Sequence, residues 1–342
     1  MGNQKSMNKH ISNRIGVIGS GSWATAMIKM LTDNQSEKEI FWWVRKQEDI
    51  TYMESYKHNP SYLTAVEIKI PIANISTDVK YVFDNSDIIV LNTPAAYLKQ
   101  ALEGLTAEDF ENKIIVSAIK GIIPDENQIV GEYLTSTYNL ALKDIVVIGG
   151  PCHAEEVSQE KLSYLTFGCN DLVKAEIVAS LYKSRYINTI VSEDVLGIEY
   201  GSVLKNIYAL AGGICHGLGF GDNFQAVLVS NAIREMEYFV EAINSYTRDI
   251  NASAYLGDLL VTAYSQFSRN RTFGNMIGKG YSVKSAQLEM NMVAEGFYAS
   301  NCIQGIIAKY KLDMPICNMV YQILYNNSPA LYEVNILAQK LS

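Results

Sequence analysis

No stretch of this chain strings together the 18 or more apolar residues of a membrane-spanning helix, and its first residues lack the apolar core of a secretory signal. Basic residues are outnumbered. Lys and Arg total 28 against 36 Asp and Glu, a formal charge of −8 and the wrong sign for a face that grips nucleic-acid phosphates. A small anionic substrate is not excluded, because a few local cations suffice for it. Histidine is scarce, and residues 10, 58, 153 and 216 show no metal-ligand spacing. The five cysteines, at 152, 169, 215, 302 and 317, are odd in number, scattered and without a CxxC. That pattern argues against a disulfide scaffold or a zinc site and for a reducing cytoplasm. No internal repeat or low-complexity linker interrupts the chain.

At 342 residues and 48% hydrophobic, the chain is long enough for two domains with a large core. Residues 1–13 read as a polar leader. Met1-Gly2-Asn3-Gln4-Lys5-Ser6 fits the myristoylation pattern, but a disordered leader with Met7 as an alternative start is the simpler reading. One acyl chain would anchor only marginally, so no stable membrane attachment is expected.

From 14 to 192, short Ile- and Val-rich runs alternate with helical patterns. The strand candidates are Arg14–Ile18, Ile40–Val44, Ile88–Leu91, Lys113–Ala118 and Ile145–Ile148, with Tyr164–Gly168 and Tyr186–Val191 as possible extensions. They show little period-2 alternation, as strands covered on both faces should. Helical patterns fall near 24–33, 46–57, 96–103, 126–138 and 171–183. This order predicts an α/β fold, a Rossmann-type doubly wound parallel sheet. From 193 to 342 the period is 3.6, with breaks expected at Gly217–Asp222, Gly257 and Gly278–Tyr281. An all-helical second domain follows, with the active site in the cleft between the two.

The first apolar run leads into Gly19-Ser20-Gly21-Ser22-Trp23-Ala24 and then a helix. Strand, glycine turn and helix in that order suit a dinucleotide. Gly19 makes the tight turn, Gly21 lets the backbone approach the diphosphate, and small Ala24 lets helix and strand pack closely. The second strand candidate ends in Val44-Arg45-Lys46, whereas Glu37 and Glu39 precede it. A cationic pair at that end attracts a 2′-phosphate, which favours NADP(H), with NAD(H) still open.

Other segments concentrate polar groups beside glycines. Ser117-Ala118-Ile119-Lys120-Gly121 ends a buried strand, where open α/β sheets bind ligands. Gly149-Gly150-Pro151-Cys152-His153-Ala154 follows another strand. In Tyr200-Gly201-Ser202-Val203-Leu204-Lys205-Asn206, helical spacing puts Ile198, Ser202 and Lys205 on one face, although a lone lysine on such a helix commonly snorkels to solvent. Asp258 and Thr262 share a helical side, and Arg269 offers a fork suited to phosphate.

Together these segments, with Gly217-Leu218-Gly219-Phe220-Gly221, Ser268-Arg269-Asn270-Arg271 and Val293-Ala294-Glu295-Gly296, closely resemble the bacterial-type NAD(P)-dependent sn-glycerol-3-phosphate dehydrogenase family. The likeness covers nearly the whole chain in the right order. It implies reversible reduction of dihydroxyacetone phosphate, a small phosphorylated three-carbon substrate, for phospholipid synthesis, by a homodimer. By matching positions, Lys205 is implied as proton donor and acceptor. Lys120, Gly150, Cys152, Asp258, Ser268, Arg269 and Asn270 are implied as substrate contacts. Gly19, Gly21, Ser22, Trp23, Arg45, Ala154, Val293 and Glu295 fall on the cofactor, with Lys120 and Arg269 touching both ligands. Two positions depart from the family pattern: Cys152 stands where Ser or Thr is usual, and Ala24 stands for the fingerprint's Gly. The rival reading is a hydroxy-acid or sugar-acid dehydrogenase with the same two-part build, and a third is a cofactor-binding regulatory module without turnover.

Overall fold

The computed structural model describes residues 14–34, 37–290 and 294–342. The leader 1–13, with its myristoylation pattern and Met7, and the cofactor candidate Val293 lie outside the described residues.

Strands and helices alternate through the first half as β1 (Arg14–Ile18), α1 (Ser22–Asp33), β2 (Glu39–Trp43), α2 (Gln47–Tyr56), β3 (Ile75–Ser76), α3 (Val79–Asp84), β4 (Ile88–Leu91), α4 (Leu98–Ala101) and β5 (Ile114–Ser117). After them come β6 (Ile122–Ile123), β7 (Gln128–Ile129), α5 (Val130–Tyr138), β8 (Ile145–Gly149), α6 (Ala154–Ser158), β9 (Ser163–Gly168), α7 (Leu172–Tyr182) and β10 (Ile187–Ser192). Eight strands form one sheet in the order β10-β9-β8-β5-β4-β1-β2-β3. Val90, Val116 and Val146 pack toward α1 and α7 on one face, while Leu91, Ile115 and Val147 join the helices of the second half on the other. Burial on both faces is why these strands carry no apolar–polar alternation.

The second half is helical: α8 (Val195–Gly217), α9 (Asp222–Ile243), α10 (Asp258–Tyr264), α11 (Arg269–Gly278), α12 (Val283–Glu289), α13 (Glu295–Tyr310), α14 (Pro315–Tyr325) and α15 (Ala330–Ala338). Helix α8 is its axis. Apolar nearly all round, it lies between the sheet and the other helices, as such a helix must.

Three details differ from the sequence expectation. Strands β9 and β10 do extend the sheet, but β9 runs antiparallel to β8. Their link, 150–162, holds only the five-residue α6, which returns the chain beside β8 without a crossover across the sheet. The pattern near 126–138 opens as a strand: β6 and β7 pair as a hairpin whose turn places Asp125 and Asn127 at φ of 70° and 53°, residues that tolerate the left-handed region. Gly257 breaks nothing, because Ser253–Gly257 forms one π-type turn that winds straight into α10. The interruption falls earlier, at 244–252.

Helices α8 and α11 cross almost backbone to backbone. A Cβ on Gly274 would lie 2.9 Å from the Ile214 amide nitrogen, and one on Gly213 would lie 2.9 Å from that of Asn275. These are backbone atoms that cannot step aside. Gly274→Ala should therefore cost about 1–3 kcal/mol, read as a lower melting temperature. An unchanged melting temperature would show that the crossing tolerates a wider spacing.

Candidate active site

The carboxyl ends of β1, β2, β4, β5 and β8 open onto a cleft of about 870 Å3, closed on its other side by α8, α10, α11 and α13. At its β1 end the turn is held open. Gly19 has φ of +133°, and a Cβ there would meet the Asn92 carbonyl carbon and oxygen at 2.9 Å. Its own carbonyl accepts from Trp42 Nε1 at 2.6 Å, which ties the turn to β2. Gly21 is the residue before α1, carries no side-chain cap, and has open space where a Cβ would be. A helix N-terminus facing an unfilled cradle fits a diphosphate. Ser22 and Trp23 line the cleft beside it, and Trp23 Nε1 is buried without a partner. Ala24 is fully buried under the turn.

Arg45 follows β2 at the rim of the cleft, whereas Glu39 sits at the opposite end of that strand. The carboxyl end of β2 thus presents a guanidinium and no carboxylate from Glu37 or Glu39.

Lys205 and Asp258 form a buried ion pair, their side chains 6% and 2% exposed. Lys120, at the end of β5, adds a second cation: its Nζ lies 3.4 Å from Asp258 Oδ2 and 3.3 Å from the Gly150 carbonyl, and 5.7 Å from the Trp23 ring centre. Burial pushes the Lys205 amine down to about 7, and Lys120 adds to that while Asp258 opposes it. Burial works to raise the Asp258 carboxyl, but Lys120 and Lys205 outweigh it and hold it below the usual range. The pair therefore presents an amine poised near neutrality on a fixed carboxylate. Thr262 Oγ1 donates to the Asp258 carbonyl at 2.6 Å, one helical turn along.

Two asparagines tie the walls together. Asn206 Nδ2 donates to the Lys120 carbonyl at 2.7 Å, Asn270 Nδ2 donates to Asn206 Oδ1 at 2.9 Å, and the Gly296 N–H donates to Asn270 Oδ1 at 2.9 Å. This run of amides links β5, α8, α11 and α13. Ser268 caps α11, its oxygen accepting from Arg271 N–H at 3.3 Å, and Arg269 at the first turn faces the cleft. Glu295 is half-buried at the far end, with Oε1 accepting from Ala95 N–H at 3.0 Å and its buried Oε2 without a partner. Burial pushes its carboxyl up to about 7.

Gly150 reaches the site through its carbonyl, and Cys152 and Ala154 line the wall below it. Burial pushes the Cys152 thiol up to about 12, so the group is a protonated, weak donor. Sequence reading passed over Asn92, Thr93 and His153 as site residues. All three line the cleft with buried polar atoms that lack partners: both Asn92 amide atoms, Thr93 Oγ1 and His153 Nε2. The Asn-Thr-Pro that ends the Ile88–Leu91 run carried the signal for the first two, since strand ends are where such sheets take ligands. Burial, reinforced by Lys205 and Lys120, pushes the His153 imidazole down to about 4, so it is neutral.

A glycine cradle for a diphosphate and a buried lysine–carboxylate pair in one cleft suit a nucleotide-dependent transfer at a carbonyl or alcohol carbon. Residues 14–175 match the family model described as NAD-dependent glycerol-3-phosphate dehydrogenase N-terminus, and 194–334 match that of the C-terminus. The chain belongs to the NAD-dependent glycerol-3-phosphate dehydrogenase family. A relative in Agathobacter rectalis, named glycerol-3-phosphate dehydrogenase (NAD(P)+), is 34% identical over 325 residues, covering 95% of each chain. One of the same name in Bacillus subtilis (strain 168) is 32% identical over 314 residues, 92% of this chain and 90% of that one. In fold, the chain is similar to the crystal structure of glycerol-3-phosphate dehydrogenase from Coxiella burnetii, with TM-score 0.87 at 23% identity over 96% and 99% of the two chains. Members of the glycerol-3-phosphate dehydrogenase family are oxidoreductases that use NAD(P), and the hydroxy-acid alternative is set aside by these relatives. Among the described residues no helix is long and apolar enough to cross a membrane.

Proposed function

We propose that this cleft carries out the reversible reduction of dihydroxyacetone phosphate to sn-glycerol 3-phosphate, with Lys205 as the proton donor and acceptor. The observation that carries the reading is the Lys205–Asp258 pair, buried beside Lys120 and facing the glycine turn. NAD(P)H, held at the glycine turn when bound, would supply the hydride that reduces the carbonyl carbon. The developing negative charge on the carbonyl oxygen then meets the Lys205 ammonium, which stabilises it and gives up one proton. In the oxidative direction the neutral amine takes the hydroxyl proton. Asp258 holds the amine in place and stays ionised throughout. Arg269 and Lys120 grip the phosphate, with Ser268, Asn270, Gly150 and Cys152 around the three-carbon body, so that remote binding energy orients the carbonyl.

Gly19, Gly21, Ser22, Trp23, Arg45, Ala154 and Glu295 make up the cofactor side, with Lys120 and Arg269 shared. Arg45 at the end of β2, with no carboxylate beside it from Glu37 or Glu39, supports a preference for NADP(H) over NAD(H). In this reading residues 14–192 bind the cofactor and 193–342 provide the substrate wall and the contact of a homodimer. Val227, Tyr238, Leu331 and Tyr332 leave apolar surface on α9 and α15 for that contact. Five free, buried cysteines support a reducing cytoplasmic setting, where the product would feed phospholipid synthesis.

Lys205→Met should cut kcat by about 100- to 10,000-fold while leaving the Kd for NADPH within twofold. With the amine near 7, wild-type reduction needs its protonated form and should fall as pH rises through about 7. Oxidation needs the neutral form and should rise over the same interval. Near-normal turnover in Lys205→Met, or limbs of the same sign in both directions, would remove Lys205 from this role.

Arg269→Ala should raise KM for dihydroxyacetone phosphate by about 100-fold with little effect on an unphosphorylated analogue. Equal losses on both would contradict phosphate recognition. For the cofactor, the wild type should prefer NADPH over NADH by about tenfold in kcat/KM, and Arg45→Ala should erase most of that ratio. A tenfold preference for NADH would refute the assignment of Arg45.

A further inference from the structure

None of residues 244–257, between α9 and α10, lines the cleft, yet they carry a buried ionic knot. At its centre is Asp194, the residue before α8. It accepts from the Gly197 N–H at 3.1 Å and so caps that helix. It also accepts from Arg248 Nε at 2.7 Å and Nη2 at 3.2 Å, and from Tyr255 Oη at 2.5 Å. The side chains of Arg248 and Asp194 are 3% and 1% exposed, so this bidentate pair is shielded from water and salt.

Tyr255 reaches inward from the π-type turn Ser253–Gly257, and its ring lies on Gly201 of α8, where an added Cβ would sit 3.2 Å from Cδ1. Gly201 and Lys205 are four residues apart on one face of α8, and Tyr255 and Asp258 are three apart on the segment docked against it. Two parallel contacts, Tyr255 on Gly201 and Asp258 on Lys205, therefore set the register between the segment and the helix. The first leaves little play for the second.

We infer that Tyr255, anchored by Asp194 and Arg248, is a positioning residue that sets Asp258 against Lys205 and thereby tunes proton transfer at a cleft it does not touch. The inference rests on Lys205 being the proton donor and acceptor. The charged and titratable groups facing Lys205 are Asp258 from α10, Lys120 from the end of β5 and His153 ahead of α6. Around the knot they are Asp194, Arg248, Tyr255, Tyr246, whose ring centre lies 5.6 Å from the Arg248 guanidinium carbon, and Glu241, whose Oε2 lies 3.3 Å from Arg248 Nη1. Of those facing Lys205, only Asp258 favours the ammonium, since burial and Lys120 oppose it. Loosening Asp258 thus moves the lysine further toward its neutral form.

Tyr255→Phe keeps the ring on Gly201 and removes only the hydroxyl, and Gly201→Ala presses the ring from the other side. Both variants, with Lys205→Met in parallel, are assayed for kcat against pH in the reductive direction, for NADPH affinity by tryptophan fluorescence, and for melting temperature. The expected result is a fall in kcat of about tenfold, an alkaline limb moved down by roughly half to one pH unit, and NADPH affinity unchanged. A purely structural tyrosine would lower the melting temperature and leave kcat and the limb where they were. That result in every variant that folds overturns the inference, and a single folded variant is enough to decide it. Normal turnover in Lys205→Met would instead remove the proton-transfer assignment on which the inference stands.

Discussion

Two cations and one carboxylate, Lys205, Lys120 and Asp258, meet where the sheet ends and α8 begins to line the cleft. Taking a lysine and an aspartate out of water costs several kcal/mol for each ion, and their attraction recovers it only when geometry is tight and the remaining valences are filled. Here the valences are not all filled. One carboxylate faces two ammonium groups, with the Arg269 guanidinium also on the cleft wall. Around Asp258 two ammonium groups therefore face a single carboxylate, and an anion is the partner that would complete the set. A phosphorylated substrate follows from this imbalance more directly than from any single residue.

Holding such a triad requires walls that do not shift. The run of amides from the Lys120 carbonyl through Asn206 and Asn270 to the Gly296 N–H joins four elements at the back of the cleft. The glycine crossing of α8 and α11 fixes the distance at which Arg269 and Asn270 stand from Lys205 and Asn206. Each device trades stability for placement. Glycines within helices cost conformational entropy, and buried amides must find every partner they lose from water. Lys205 and Asp258 would be a poor way to stabilise a core, which is why the proposed proton transfer is the better account of the pair.

Local features were legible in the sequence and long-range ones were not. The Gly19–Ala24 turn could be read because strand, turn and helix are contiguous and each glycine has a stereochemical reason. Asp258 and Thr262 could be placed on one side because helical spacing is fixed. The direction of β9 was not legible, since it depends on whether 150–162 crosses the sheet, and the apolar run Tyr164–Gly168 reads alike either way. The β6–β7 hairpin was hidden because two-residue strands have no period. The knot of Asp194, Arg248 and Tyr255 spans 54 and 61 residues of sequence, and nothing local marks those three as partners.

The placement of the lysine is also what would let one group serve both directions of the proposed reaction. An ordinary lysine, titrating near 10.4, is neutral in only about one molecule in 2,500 at neutral pH, which would starve the oxidative step of its base. A lysine lowered by burial alone would lose its proton too readily to stabilise a developing alkoxide. Burial and Lys120 push Lys205 down, Asp258 pulls it back, and the outcome near 7 leaves both forms substantially populated. Asp258 is thus needed less for holding the amine charged than for limiting how far the cleft can neutralise it. That balance is sensitive to the distance between two helices, which is why residues remote from the substrate belong to the same machine.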